Sequence, residues 1–287
     1  MFGREKFITW MVLFIILSGF TKIYPQDRLL DVVSEEVALL PGKDSVFINP
    51  VYLKYSEDGH FNYECILRTP VCNDTLCQIV QIKIFWDLIG DYIRFDTLPG
   101  YPLTKYDHLP FTLEDYNKLQ ATLKDGNSIL GRKSEYELLD NNRQRYSEKI
   151  DALTGATNLQ IKNAVVDGAL YSTYTLWHLV NGYIKTELLN CTLKNYNSKI
   201  ENQLLLSDNP KFNIFALKQL NDKDYIDRFP EIIHLMEKGR PLVNFYIAKK
   251  LPPEAFVEGE NIKSLELIWP VLDANTKSIL GIYLDSE

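Results

Sequence analysis

The stretch Asp151-Ala-Leu-Thr-Gly-Ala-Thr157 sets two hydroxyl groups, on Thr154 and Thr157, around a glycine and an alanine, with a carboxylate three residues earlier. Two kinds of chemistry use such a set. Aspartate and threonine cap the first free N–H groups of a helix, and Gly155 gives the backbone the freedom to turn into one. The same hydroxyls could instead carry a covalent group. The apolar residues after Thr157 recur at helical spacing, so the cap reading is sufficient for the short motif taken alone.

Four cysteines are the other reactive groups: Cys65, Cys72, Cys77 and Cys191. Cys72 and Cys77 bracket a four-residue loop between two strand-like runs. They can pair as a small disulfide, stay as free thiols, or hold a metal, although no second cysteine pair or close histidine completes a tetrahedral set. A bridge over so short a loop would contribute about 2 kcal/mol by chain entropy. Cys65 and Cys191 read as buried apolar residues.

Composition bounds the remaining possibilities. The chain has 287 residues, 46% hydrophobic and 24% charged, enough for one large domain or two modest ones with a real core. Its net charge of −7 argues against a nucleic-acid partner, which would call for a basic face. Arg4 and Lys6 precede the apolar run Ile8–Phe20, which is shorter than the roughly 20 residues that span a bilayer. The run fits a secretory leader, residues 1–26, with cleavage between Thr21 and Gln26. Its removal takes away three basic residues and one acid and leaves a net charge of −9. The chain is therefore expected to be exported, periplasmic or at the cell surface. An uncleaved leader would tether it to a membrane.

The elements that must position these groups follow from periodicity. Residues 27–44 read as a short helix ended by Pro41-Gly42. Residues 46–97 alternate apolar and polar positions around breakers at Asp58-Gly59 and Gly90-Asp91, which predicts an antiparallel sheet of several strands. Thr112-Leu-Glu-Asp115 resembles a capping box, with Asp in the place of Glu or Gln. It opens a helix carried by Leu113, Tyr116, Leu119, Ala121 and Leu123 and ended by Asp125-Gly126. A polar stretch, 127–149, leads to the motif. After Thr157, the stripe Ile161, Ala164, Val165, Gly168, Ala169, Ser172, Leu176 and Leu179 predicts one helix to Asn181-Gly182, about 36 Å long. More helix runs to about Leu206. Residues 207–287 then read as short amphipathic units that look like degenerate helical hairpins of the HEAT type, without a clean period. Pro230 is placed at the start or at a kink of a helix.

The pattern Asp151-x-x-Thr154-Gly155-Ala156-Thr157 resembles the flavinylation signal of FMN-binding domains, as in the flavin subunits of sodium-pumping quinone reductases and related electron-transfer complexes. The segments IFWDLIGDYIRFD, PLTKYDHLPFTLEDY and VVDGALYSTYTLWHLVNG also resemble exported bacterial proteins that carry this motif. The similarity covers roughly residues 60–182. It implies an α+β fold, an antiparallel sheet with packed helices over 27–206; the helical unit 207–287 lies outside the similarity. It implies Thr157 as the acceptor of FMN through a phosphodiester, with Asp151, Thr154, Gly155 and Ala156 as the recognised motif. The implied partners are a separate flavin transferase and a redox partner protein at or near a membrane.

The residues are consistent with that implication. Small side chains at 155 and 156 let an outside enzyme bring a bulky donor to Thr157, and a phosphate at a helix start would be stabilised by the free N–H groups there. A threonine hydroxyl is a poor nucleophile alone, so the transferase supplies the base and metal, and the chain shows no catalytic triad of its own. Trp86, Tyr92, Tyr106, Tyr171, Tyr174 and Trp177 are candidates to line the flavin ring, with His108 and His178 beside them. Lys105 or Arg94 could face the phosphate or ring N1. Three functions remain open: an exported flavin electron carrier, an unmodified interaction protein acting through its helical unit, and a flavin-dependent reductase. The last lacks any glycine fingerprint for NAD(P)H.

Overall fold

Five strands run as an antiparallel meander in the order β1-β2-β3-β4-β5: Ser34–Pro41, Ile48–Tyr55, Phe61–Asn73, Leu76–Trp86 and Tyr92–Thr97. The computed structural model describes residues 34–56, 59–73, 76–106, 108–138, 161–257 and 259–284. The leader and the motif 151–157 lie outside them. The sheet forms because alternate residues face alternate sides. Val51, Leu53, Tyr63, Cys65, Leu67, Ile82, Ile84 and Trp86 are buried on the inner face. On the other face Glu64 pairs with Lys54 and with Lys83. Burial pushes the Glu64 carboxyl up, but these two cations outweigh it and hold it below the usual range.

The expectation of a helix over 27–44 is corrected for its described part: Ser34–Pro41 is the edge strand β1. A register shift between Glu36 and Ala38 breaks its alternation, so its apolar residues do not show a period of two. Pairing with β2 decided the conformation over local pattern. At the other edge, Gln120 stands in for a missing strand. Its Oε1 accepts from Phe95 N–H at 3.3 Å and its Nε2 donates to the Ile93 carbonyl at 3.3 Å.

The inner face is covered by helices α1 (Leu113–Lys124), α2 (Leu170–Asn181) and α3 (Tyr183–Lys194). The Thr112–Asp115 capping box is complete, with the Thr112 N–H donating to the Asp115 carboxylate at 2.9 Å. The single helix expected from Thr157 to Asn181 is corrected. A 3-10 turn at Lys162–Ala164 and extended backbone at Val165 come first, and α2 has only 12 residues, about 18 Å at 1.5 Å per residue. Gly168 sets the boundary. It holds φ +76, and only glycine enters that region without strain. The expected break at Asn181-Gly182 is observed. A Cβ on Gly182 would lie 2.3 Å from the His178 carbonyl oxygen, so only glycine lets α3 start directly after α2.

Buried polar groups fix these helices to the sheet. The Trp86 indole N–H donates to the Val180 carbonyl at 3.0 Å. Thr192 Oγ1 donates to the Leu88 carbonyl at 2.6 Å, so Tyr63 O–H is the donor in its 2.7 Å bond to Thr192. In the β4–β5 turn Asp87 accepts from Ile89 N–H and Asp91 N–H, both at 2.9 Å. Burial pushes the Asp87 carboxyl up to about 6. Asp91 bridges Lys185 and Lys211.

The rest is helical: α4 (Ser198–Leu205), α5 (Pro210–Leu217), α6 (Asp222–Asp227), α7 (Phe229–Glu237), α8 (Pro241–Lys250), α9 (Gly259–Ile268) and α10 (Ala274–Leu284). Pro230 lies in the first turn of α7, as expected. A repeat is present where the sequence showed no clean period. Pro210-Lys-Phe-Asn213 and Pro241-Leu-Val-Asn244 open α5 and α8, 31 residues apart. Both asparagines are buried and donate to carbonyls at the end of the preceding helix, Asn213 to Leu205 and Asn244 to Met236. Asn213 Oδ1 also accepts from Arg240 at 2.8 Å, whereas Asn244 Oδ1 has no partner. Val271 stands 31 residues after Arg240, the position that a third repeat would align with it. Sheet and helices share one buried cluster from Leu40 to Leu280. Among the described residues no helix is long and apolar enough to cross a membrane.

Two predictions follow from these contacts. Asn213→Ala removes a donor from the Leu204, Leu205 and Ser207 carbonyls and an acceptor from Arg240, which keeps Ser207 and Asp208, and is expected to cost about 3 kcal/mol in urea unfolding, against about 1 kcal/mol for Asn244→Ala. The second prediction concerns pH. Because the folded-state pKa of Asp87 is raised, its contribution is present below the unfolded carboxyl range and is lost as pH rises through about 6. Asp87→Asn, which keeps the acceptor oxygen, should therefore raise the melting temperature at pH 8 and leave it nearly unchanged at pH 4; equal effects at both pH values would refute the assignment.

Candidate functional site

An open cleft of about 520 Å³, mouth included, lies where three elements meet. The tip of the β3–β4 hairpin supplies Val71, Cys77 and Gln78. The loop between β5 and α1 supplies Tyr106 and His108. The start of α2 supplies Gly168, Ala169, Leu170, Tyr171 and Ser172.

Each wall is held by bonds distant in sequence. Tyr106 N–H donates to the Gly168 carbonyl at 2.7 Å, which joins the loop to the helix start. Thr104 Oγ1 donates to Gln78 Oε1 at 2.8 Å, which joins the loop to the hairpin. The loop is closed by the bridge Thr104↔Pro110 and by Leu103 N–H donating to Tyr116 Oη at 3.1 Å. At the turn, His108 holds φ +63, a conformation that costs a non-glycine residue of the order of 1 kcal/mol and persists only where surrounding bonds impose it. The hairpin tip is closed by a Cys72–Cys77 disulfide between residues directly opposite in the ladder. This settles the alternatives left open for that pair.

The electrostatics of the cleft are simple. Although the chain carries a net charge of −7, no carboxylate is among the described lining residues. Ala169 is the N-cap of α2, and its side chain offers no cap. Such an end favours an anionic group. Apolar and aromatic walls beside it suit a flat ring.

The sequence-derived candidates divide in two. Tyr106, Tyr171 and His108 line the cleft together. Trp86, Tyr92, Tyr174, Trp177 and His178 do not line it and serve the fold. Trp86 is fully buried. Tyr92 donates to Gln120 at 2.6 Å. Trp177 donates to the Asp125 carbonyl at 2.9 Å, and Tyr174 to the Lys133 carbonyl at 2.9 Å. His178 Nε2 lies 3.1 Å from the Leu130 carbonyl and so carries the proton there; burial lowers its pKa and keeps it neutral. Neither expected cation faces the cleft. Lys105 is 2.9 Å from Asp115, and Arg94 pairs with Asp96 while lying over the Phe85 ring. Asp151, Thr154, Gly155, Ala156 and Thr157 lie outside the described residues.

Cys77, Gln78 and the helix start at Leu170 are site residues that sequence reasoning did not assign. The signal for the last was present: Asp167-Gly168 repeats the Asp-Gly pair that marks breaks at 58–59 and 125–126. Among the described residues there is no group of three or more His, Cys, Asp or Glu that could hold a metal ion. The chain matches no family model, no curated protein and no solved structure, so the meaning of the cleft rests on its own residues.

Proposed function

We propose that the protein is an exported flavin electron carrier, with FMN joined through its phosphate to the Thr157 hydroxyl. The observation that carries this reading is the motif Asp151-x-x-Thr154-Gly155-Ala156-Thr157, which lies eleven residues before the Gly168 wall of the cleft. A separate flavin transferase makes the bond: the Thr157 oxygen attacks the flavin-side phosphorus of FAD, the pyrophosphate bond breaks, and AMP leaves. Bound flavin supplies the redox chemistry.

The chain's part is to place the ring. Tyr106 and Tyr171 offer aromatic surface in a cleft whose described lining holds no carboxylate, and the start of α2 turns the positive end of its dipole toward an anionic part of the cofactor. The meander with helices on one face is compatible with the proposed FMN-binding-domain likeness. The repeated hairpins α4–α5 and α7–α8 are compatible with a HEAT-like array. The proposed partners are the transferase and a redox protein at or near a membrane.

A second reading, an unmodified interaction protein acting through its helical region, is favoured by one observation. Leu242, Val257 and Leu267 expose 67%, 80% and 82% of their surface, more than most apolar residues here.

Intact mass separates the two. Purified from its native compartment, the wild type should exceed the mass of the leader-free chain by one FMN less water and be yellow, and Thr157→Ala should be colourless and unmodified. Tyr171→Ala should keep the added mass but shift the flavin absorbance, because it alters the cleft and not the acceptor. A wild type without added mass, from cells that flavinylate other proteins, would sink the carrier reading and leave the interaction reading.

A further inference from the structure

We infer that the outer face of the sheet is the contact surface of a twofold dimer of this chain. The inference does not depend on flavin at Thr157. Its first ground is an apolar face without a cover. Helices α1, α2 and α3 pack on the inner face, and an outer face left to water normally carries polar residues. Here each of the first four strands turns an aliphatic side chain outward: Leu39, Ile48, Ile66 and Ile79, exposed by 52%, 53%, 52% and 47%. The register joins them into one surface. Leu39 lies opposite Pro50, Ile48 opposite Pro41, and Ile79 opposite Pro70, so prolines extend the apolar area between them.

The second ground is charge. On this face Glu64 takes Lys54 and Lys83, and Asp96 takes Arg94. Two charges of the face have no ion pair among the described residues, and they are opposite in sign: Glu36 and Arg68. They stand on either side of β2. Glu36 lies on β1 opposite Tyr52, and Arg68 lies on β3, where the Asn49 side chain takes its N–H at 2.8 Å and its carbonyl at 3.1 Å. The Arg68 guanidinium rests 4.4 Å over the Phe47 ring, which holds it in place before any partner arrives. A twofold axis that sets Arg68 of one copy on Glu36 of the other also forms the reciprocal pair, as an isologous contact requires. A face with nearly balanced charge gives an anionic membrane little to attract, whereas a second copy answers both unpaired charges.

The third ground is size. Five strands about 4.8 Å apart, each roughly eight residues long at about 3.3 Å per residue, make a face of about 600 Å². Two copies would cover about 1,200 Å² in all, the lower end of the range for stable, specific interfaces. Sheets that stack face to face lie about 10 Å apart, a gap that aliphatic side chains from both copies fill.

The test is sedimentation equilibrium of the chain purified from its native compartment. The wild type should pass from monomer to dimer mass with a dissociation constant at or below about 10 μM. Arg68→Glu and Glu36→Arg should each weaken the dimer at least about tenfold, because like charges then meet. An equimolar mixture of these two variants should regain the wild-type constant, because opposite charges meet again. Ile66→Asp should also weaken the dimer, with Ile79→Asp in its place if the first fails to fold by circular dichroism. A monomer at every concentration, a dimer indifferent to the reversals, or a loss that mixing does not restore would each overturn the inference. So would a dimer broken by Leu242→Glu instead, which would move the contact to the helical region. A monomer captured by phosphatidylglycerol vesicles, with capture abolished by Ile66→Asp, would overturn it in favour of a membrane surface.

Discussion

Everything in this fold depends on how the helices are fastened to one face of a meander. Apolar burial alone would let α2 and α3 slide over a surface of Val, Leu and Ile, because it is non-directional. The bonds from Trp86 to Val180 and from Tyr63 through Thr192 to Leu88 remove that freedom. Each joins a side chain to a carbonyl at a defined position, and each donor would cost about 1–3 kcal/mol if buried without its acceptor. A shifted helix would therefore strand several polar groups at once. The short junction at Gly182 transmits the constraint: α2 and α3 are both fixed because neither can move without the other.

The same logic recurs in the helical region with a different residue. Asn213 and Asn244 each reach back to the end of the previous helix and give a carbonyl there a side-chain donor. Arg240 then ties one hairpin to the next through Asn213, and Asp208 takes its other end. The link is not repeated at Asn244, where the aligned position is Val271. Hairpin order is set within this region by side-chain amides, while the sheet uses a tryptophan, a tyrosine and a threonine.

Sequence patterns revealed the parts of this plan that are local. The strands between Ile48 and Thr97 alternate over most of their length, with breaks at Thr69–Val71 and at Phe85–Trp86, because one face is buried and hairpin turns join them all. The Thr112 cap and the Asn181-Gly182 break could be read because capping and chain reversal involve neighbours only. The edge strand at Ser34–Pro41 was hidden by its bulge, and the true start of α2 by a stripe of small residues that fits a helix on either side of Gly168. The 31-residue repeat was hidden because one buried asparagine per repeat is a weak signal among diverged apolar positions. Of the site, residue type alone indicated Tyr106, Tyr171 and His108. Their assembly with Cys77 was not legible, since it depends on Tyr106 bonding to Gly168, 62 residues away, and Thr104 to Gln78, 26 residues away.

The location of the cleft follows from the same fastening. Trp86 and Tyr63 hold the helices near the β4–β5 end of the sheet, so the far end of the long β3–β4 hairpin projects past them. The loop between β5 and α1 must return along that projecting tip, and α2 must begin beside it to reach Val180 in register. A concave space bounded by a hairpin tip, a strained loop and a helix start results. Val71, Ala169 and Leu170 in its walls belong to the core, whereas Cys77, Tyr106 and His108 are exposed and leave their side chains available for chemistry.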